Sequence, residues 1–257
     1  MPKLNIAVFF GGRSPEHEVS IISGIQVLNA LDRGKYNILP VYITKDGRWI
    51  LGKESFFKVE TFKDLGKIKN KGVQVYLPAA PHTRYLEEKE DGNFFLGAPR
   101  KFEIDVVIPV FHGRFGEDGT FQGLLELSNI PYVGSGVLAS SVAMDKVVSK
   151  KIAKGLGIPT PNGNWYTKNS WLKSPKKAID SLMKGLTYPV YVKPARLGSS
   201  IGIMRASDEK ELKNAVEVAF FYDSKVLVEE SIENVKEVNI SLLGRNPYQF
   251  SVSEEPV

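Results

Sequence analysis

The sequence predicts an α/β protein: a doubly wound parallel sheet at the N-terminus, then an α+β lobe, then the opening of a further lobe. Three observations carry this. Leu4–Phe10 (LNIAVFF) is an unbroken apolar run that meets two glycines and then apolar residues at helical spacing. Ile104–Val110 (IDVVIPV) is a second such run, followed by a polar glycine-rich loop and another helical pattern, as buried parallel strands require. Beyond residue 135, short strands that read as hairpin partners alternate with helices, which is the α+β pattern.

The first strand stops at Gly11-Gly12. Ser14 is placed to N-cap a helix with Pro15 at its first position, and Ile21, Ile25, Leu28 and Leu31 carry the helix toward Gly34. Tyr36–Thr44 supplies the second strand and completes a βαβ unit; Asp46-Gly47 then turns the chain into a hairpin partner, Trp49-Ile50-Leu51. The Lys-rich stretch 53–100, broken by Pro78, Pro81 and Pro99 and carrying the charged run Glu87–Asp91, reads as a surface elaboration. Strand 104–110 leads through the loop 111–119 to a helix containing Leu124, Leu125 and Leu127, and Tyr132-Val133 closes a first domain, 1–134.

The central unit, 135–228, opens with one helix from Ala139 to Lys154, stopped by Gly155, Gly157 and the Pro159/Pro161 pair. Strand Asn164–Tyr166, helix Lys176–Lys184, strand Tyr188–Lys193, loop Pro194–Gly202, strand Ile203–Arg205, a capped helix from Ser207 and strand Lys225–Val228 follow. Residues 229–257 begin a third unit, expected to be unfinished at Val257.

Composition narrows the function. A chain of 257 residues, 42% hydrophobic and 25% charged, can bury a sizeable core, which excludes a hormone-sized peptide, a collagen or a disordered tail. Its 34 Lys+Arg against 29 Asp+Glu leave +5, which suits a phosphate-bearing ligand without requiring a nucleic acid, and is also ordinary for solubility. Zero cysteines exclude disulfides, thiolate zinc sites and a Cys nucleophile. The opening apolar run is too short to span a bilayer and lacks a cleavage site, so the sequence predicts a cytoplasmic, soluble protein that contacts no membrane.

Three loops concentrate chemistry. Gly11–Glu18 (GGRSPEHE) lies between a strand and a helix, where open α/β sheets bind ligands. Glu16 can face the cleft and hold an ammonium group, or merely complement the helix dipole with Glu18. His112–Gly119 (HGRFGEDG) occupies the same sheet edge and crowds ionisable groups beside a buried strand; alternatively Asp118 caps the helix and Arg114 pairs with Glu117. Lys193–Gly202 (KPARLGSSIG) puts a Lys at a strand end before a Gly/Ser loop, which suits phosphate oxygens or a flexible hairpin tip equally. His17 and His82 read as solvated, and no histidine pair has metal-ligand spacing.

Read together, these blocks resemble the D-alanine–D-alanine ligases of the ATP-grasp superfamily. GGRSPEHEVSIISG (11–24), HGRFGEDGTFQG (112–123), SGVLASSVAMDKVVSK (135–150), YVKPARLGSSIGI (191–203) and VLVEESIENVKEVNISLLG (226–244) match family blocks in order, and YITKDGRW (42–49) is similar to the longer subgroup. The resemblance implies a D-alanine-binding N-terminal domain, a central ATP-grasp lobe and the start of a C-terminal one. It implies that ATP phosphorylates one D-alanine and that the amine of a second attacks the acyl phosphate, giving a peptidoglycan precursor. By position, Glu16 would hold the first ammonium, His112 would sit near the reacting carboxylate, and Ser199 would tie the phosphate loop to Glu16. Lys146 and Lys193 would lie along the ATP phosphates, with Gly198 and Ser200 closing over them; Glu229, with Glu230 beside it, would meet the adenine amino group, and Glu237 the ribose. The resemblance also implies a homodimer and Mg²⁺, with the metal ligands expected beyond Val257. A chain ending there is expected to be inactive, at most a nucleotide-binding or regulatory module, and a D-lactate- or D-serine-using ligase is the neighbouring alternative.

Overall fold

The computed structural model describes residues 2–89, 98–244 and 246–256; Glu90 and Asp91 of the charged run lie outside them. The N-terminal part runs β1 (Leu4–Gly11), α1 (His17–Ala30), β2 (Tyr36–Ile43), β3 (Trp49–Gly52), β4 (Gly72–Tyr76), β5 (Tyr85–Glu88), β6 (Lys101–Glu103), β7 (Val106–Val110) and α2 (Thr120–Leu127). These strands form one sheet in the order β6-β5-β4-β3-β2-β1-β7. β2 and β7 flank β1 in parallel, with Leu4 opposite Tyr36 and Ile6 opposite Val106, whereas β3 to β6 continue the sheet antiparallel.

Because side chains alternate along a strand, β1 feeds both faces. Ile6, Val8 and Phe10 join Ile21, Ile25 and Leu28 of α1, while Ala7 and Phe9 pack with Phe121 and Leu125 of α2 on the opposite face. The α/β expectation with helices on both faces is therefore met.

Several local expectations need correction. Segment 53–100 is not a surface elaboration: 3₁₀ turns at Glu54–Phe57, Val59–Phe62 and Leu65–Lys71 send Phe56, Phe57, Phe62 and Ile68 into the core under α1, and β4 to β6 extend the sheet. Ser14 is not the helix cap. Its hydroxyl instead bridges two loops, and α1 starts at His17 and ends at Ala30, short of Gly34.

The third correction falls in the central part, which runs α3 (Val137–Met144), α4 (Lys146–Gly155), β8 (Gly163–Thr167), α5 (Lys168–Lys173), α6 (Pro175–Met183), β9 (Val190–Pro194), β10 (Met204–Ala206), α7 (Glu209–Tyr222) and β11 (Lys225–Glu230). The single helix expected over 139–154 is broken at Asp145, whose extended backbone and carboxylate, accepting from Val147 N and Val148 N at 3.1 and 3.2 Å, start α4 anew. The cap expected at Ser207 is supplied one residue later: Asp208 accepts from Glu211 N at 2.8 Å while Glu211 accepts from Ser207 N at 2.7 Å.

The four antiparallel strands lie in the order β10-β9-β11-β8. Val190, Val192, Val226 and Val228 meet α6 and α7 on one face. The alternate residues, Tyr191, Lys193, Leu227 and Glu229, occupy the other face. β11 continues through Glu230, so the division expected before residue 229 falls inside a strand. Beyond it, β12 (Leu242–Leu243) and β13 (Gln249–Phe250) pair as an exposed ribbon.

Candidate active site between the two sheets

The turn after β1 needs glycine. Gly11 and Gly12 have φ of 88° and 97°, and a Cβ on Gly11 would overlap Ile43 O of the neighbouring strand. Ser20, one turn into α1, accepts from Gly11 N at 2.8 Å and donates to Val110 O at 2.5 Å, joining the carboxyl ends of β1 and β7. Ser14 Oγ donates to His112 O at 2.6 Å and accepts from Glu16 N at 3.1 Å, so the two loops share one hydroxyl.

Glu16 is 4% exposed at the mouth of α1. Its Oε1 accepts from Ser199 Oγ, and its Oε2 has no hydrogen-bond partner among the described residues. The carboxylate is clamped by two glycines: a Cβ on Gly113 would overlap Oε2, and one on Gly198 would stand 3.0 Å from Oε1. A buried carboxylate with one oxygen unserved is a receptor for a cationic N–H donor.

His112 presents its ring to α1, with Nε2 3.0 Å from Ser23 Oγ. Ser23 escaped the sequence reading, although its spacing of seven from Glu16 puts both on one helical face. His17 corrects an expectation: it is fully buried, not solvated, with Nδ1 2.5 Å from Gly12 O and Nε2 2.9 Å from the Tyr42 hydroxyl. Burial holds the His17 pKa below its ordinary value, the Gly12 carbonyl opposing. The neutral ring therefore donates to Gly12 and accepts from Tyr42, whose own hydroxyl burial makes harder to ionise. Arg114 does not pair with Glu117 but lies 5.2 Å over the Phe115 ring, and Glu117 accepts from Gly113 N at 2.7 Å. Asp118 accepts from Thr120 N at 3.1 Å, supporting the start of α2.

The opposite wall comes from the small sheet. After β9 the chain bends with Ser199, Ser200 and Gly202 in the left-handed region, and the base of this loop is fixed by Arg196, which donates its backbone N–H to Asp223 at 2.8 Å and pairs with the same carboxylate through its guanidinium. Lys146 Nζ donates to Leu197 O, next to Gly198; burial first, then the neighbouring Lys193, lowers its pKa. Lys193 and Lys150 each take one oxygen of Glu229, which is 6% exposed. Burial opposes ionisation of Glu229, and the two ammonium groups outweigh it, leaving the carboxyl below its usual range. Lys150 was not foreseen; it lies one turn after Lys146 on α4.

The fold thus brings Glu16 and the His112 loop on one side against Ser199, Gly198, Lys146, Lys193 and Glu229 on the other. It does not add the remaining candidates. Glu230 accepts from Asn162 N at 2.7 Å, Ser200 is exposed, and Glu237 is exposed on the segment after β11. Among the described residues no group of three His, Asp or Glu side chains converges to hold a metal ion, and no helix is long and apolar enough to cross a membrane.

A two-sheet α/β body whose cleft sets a buried, half-paired carboxylate against a lysine-flanked Gly/Ser loop is an ATP-grasp protein. The chain belongs to the D-alanine–D-alanine ligase family: residues 5–135 match the D-ala D-ala ligase N-terminus and residues 152–257 the D-ala D-ala ligase C-terminus. It is 43% identical over 256 residues to a D-alanine–D-alanine ligase of Natranaerobius thermophilus, covering 99% of this chain and 67% of that protein. Among solved structures, the D-alanine–D-alanine ligase of Helicobacter pylori superimposes with a TM-score of 0.84 at 31% identity, over 98% of this chain and 71% of the other. The VanG D-Ala:D-Ser ligase of Enterococcus faecalis gives 0.82 at 32%, over 99% and 70%.

Proposed function

We propose that this chain binds ATP and a first D-alanine across the cleft and serves the ATP-dependent joining of two D-alanines. The single observation that carries the reading is the buried Glu16 carboxylate, with one oxygen held by Ser199 and the other unserved. An α-ammonium group supplies the missing donor and charge. With the ammonium at Glu16, the substrate carboxylate lies toward the Lys146 and Lys193 side, where cations offset the charge on the phosphoryl group as it transfers. His112, oriented by Ser23, neighbours the reacting carboxylate, and the Gly198–Ser200 loop excludes water that would hydrolyse an acyl phosphate. We read 1–134 as the D-alanine-binding domain, 135–228, carried on to Glu230 by β11, as the central ATP-grasp lobe, and the residues after it as the start of the second lobe.

Glu229 is read as the adenine contact, and Lys193, now paired with it, as shared between that carboxylate and the phosphates. Glu230, Ser200 and Glu237 enter this reading by position alone. The described residues do not assemble a divalent-cation site. The name of the similar Natranaerobius thermophilus protein, a D-alanine–D-alanine ligase, favours D-alanine as second substrate; the VanG D-Ala:D-Ser ligase keeps D-serine as the second reading.

The test is D-alanine-dependent release of phosphate from ATP, with the dipeptide identified by mass. Loss of that dependence in Glu16→Gln, with ATP binding retained, supports the reading. Turnover in Glu16→Gln equal to the parent would overturn it.

A further inference from the structure

A second concavity, of about 500 Å³, lies where α3 faces the 112–119 loop. It is within the size range of small-molecule sites. Gln122 of α2, 6% exposed, lines it. The Gln122 side chain is fixed in orientation because Nε2 donates to Gly116 O at 2.8 Å, and this leaves Oε1 buried with no partner. A buried acceptor without a donor is costly in a folded protein and marks a place where a donor is to be supplied.

Two further groups line the same concavity without a counter-ion. Glu117 accepts one backbone N–H but forms no ion pair among the described residues. Lys146 donates to the Leu197 carbonyl and likewise faces no carboxylate within ion-pair distance. Between these ends α3 lays Ala139, Ala143 and Met144 along the wall, with the hydroxyls of Ser135 and Ser140 beside them. An acidic group with an orphan acceptor, a cation and an apolar floor together complement a molecule carrying an ammonium, a short apolar body and a carboxylate.

From this we infer that the α3 groove is a second ligand site, taking a small zwitterionic amino acid or dipeptide with its ammonium toward Gln122 and Glu117 and its carboxylate toward Lys146. The Glu16 carboxylate does not line the site, which shares Lys146, Leu197 and Gly198 with the phosphate side of the cleft. An occupant therefore holds Lys146 and, through Leu197 O, the base of the phosphate loop.

L-alanyl-L-alanine is the probe, titrated into the chain and followed by amide and side-chain NMR, including the Gln122 NH₂ signal. Ala143 is exposed on α3, so Ala143→Leu fills the groove without entering the core; Gln122→Met removes the orphan acceptor at similar size. The expected result is saturable binding weakened about tenfold by either variant, one charge-assisted contact's worth, and unchanged by Glu16→Gln. An unperturbed spectrum away from the groove shows that each variant has folded. Weakening by Glu16→Gln but not by Ala143→Leu would place the peptide in the reaction site and overturn the proposal. No saturable shift of the Gln122 signal would overturn it too, leaving water as the donor to Oε1.

Discussion

Ser23 Oγ and His112 Nε2 stand 3.0 Å apart, so the helix that begins at the Glu16 turn also orients the imidazole on the neighbouring strand's loop. With Nε2 engaged, Nδ1 is the nitrogen that the proposed reading turns toward substrate. Ser23→Ala frees the ring to rotate. A net hydrogen bond of about 1 kcal/mol translates to roughly a fivefold fall in kcat/KM for D-alanine. The ¹⁵N shifts of His112 should report a changed tautomer balance, and Ser23→Thr should restore both.

The two glycines around Glu16 make a sharper prediction. Gly113 has φ of 75° and its Cβ would overlap Glu16 Oε2, so Gly113→Ala displaces the carboxylate without changing any charge. Its D-alanine-dependent phosphate release should fall as far as in Glu16→Gln, about a hundredfold for a lost charge-assisted bond of 2–3 kcal/mol. Gly198→Ala, at 3.0 Å from Oε1 and with an ordinary φ, should cost less. Steady-state rates of the three variants give the order.

His17 ties stability to pH. Its folded pKa lies below the unfolded value of 6.5, so the unfolded chain binds the extra proton first as pH falls. The contribution of His17 is complete above pH 6.5 and is lost as pH drops through the folded pKa. Thermal melts of the parent should therefore fall from pH 7 to 5, and His17→Gln, which cannot titrate, should flatten that slope. An equal slope in both proteins would remove His17 from the account.

Lys193 and Lys150 share Glu229 but differ in expected consequence. Lys193→Met should raise the Kd for ATP by about tenfold, the worth of one charge-assisted contact. Lys150→Met leaves Glu229 its Lys193 partner and should weaken ATP binding less. Calorimetric titration separates them; equal losses would mean that both lysines reach the phosphates.

Phe56 is fully buried in the α1-side core although it lies in the segment that composition marks as irregular. Phe56→Ala should lower unfolding free energy by about 3–5 kcal/mol, read from denaturant midpoints.

These cases separate what residue order reveals from what it hides. β1, β2 and β7 were legible as apolar runs of strand length, and α1 because its apolar residues keep helical spacing. Phe56, Phe62 and Ile68 were not, since 3₁₀ turns are too short to show a period and the lysines and acids around them resemble loop. Within the site, Glu16, His112 and Ser199 announced themselves through ionisable or Gly/Ser-rich loops. Ser23, Gln122 and Lys150 sit in helices, where a polar residue has no signature until tertiary contact assigns it one. His17 misled for the same reason: nothing local distinguishes an imidazole that will bond Gly12 and Tyr42 from one in water.

The bond from Ser199 to Glu16 spans 183 positions of chain. Its two ends belong to bodies with separate hydrophobic cores, each able to form from contacts of its own. The completed carboxylate pocket is therefore a late event in folding, absent from any intermediate in which only one core has condensed. Recovery of D-alanine binding during refolding should lag behind recovery of helical signal, and the interval would time the docking of one body onto the other.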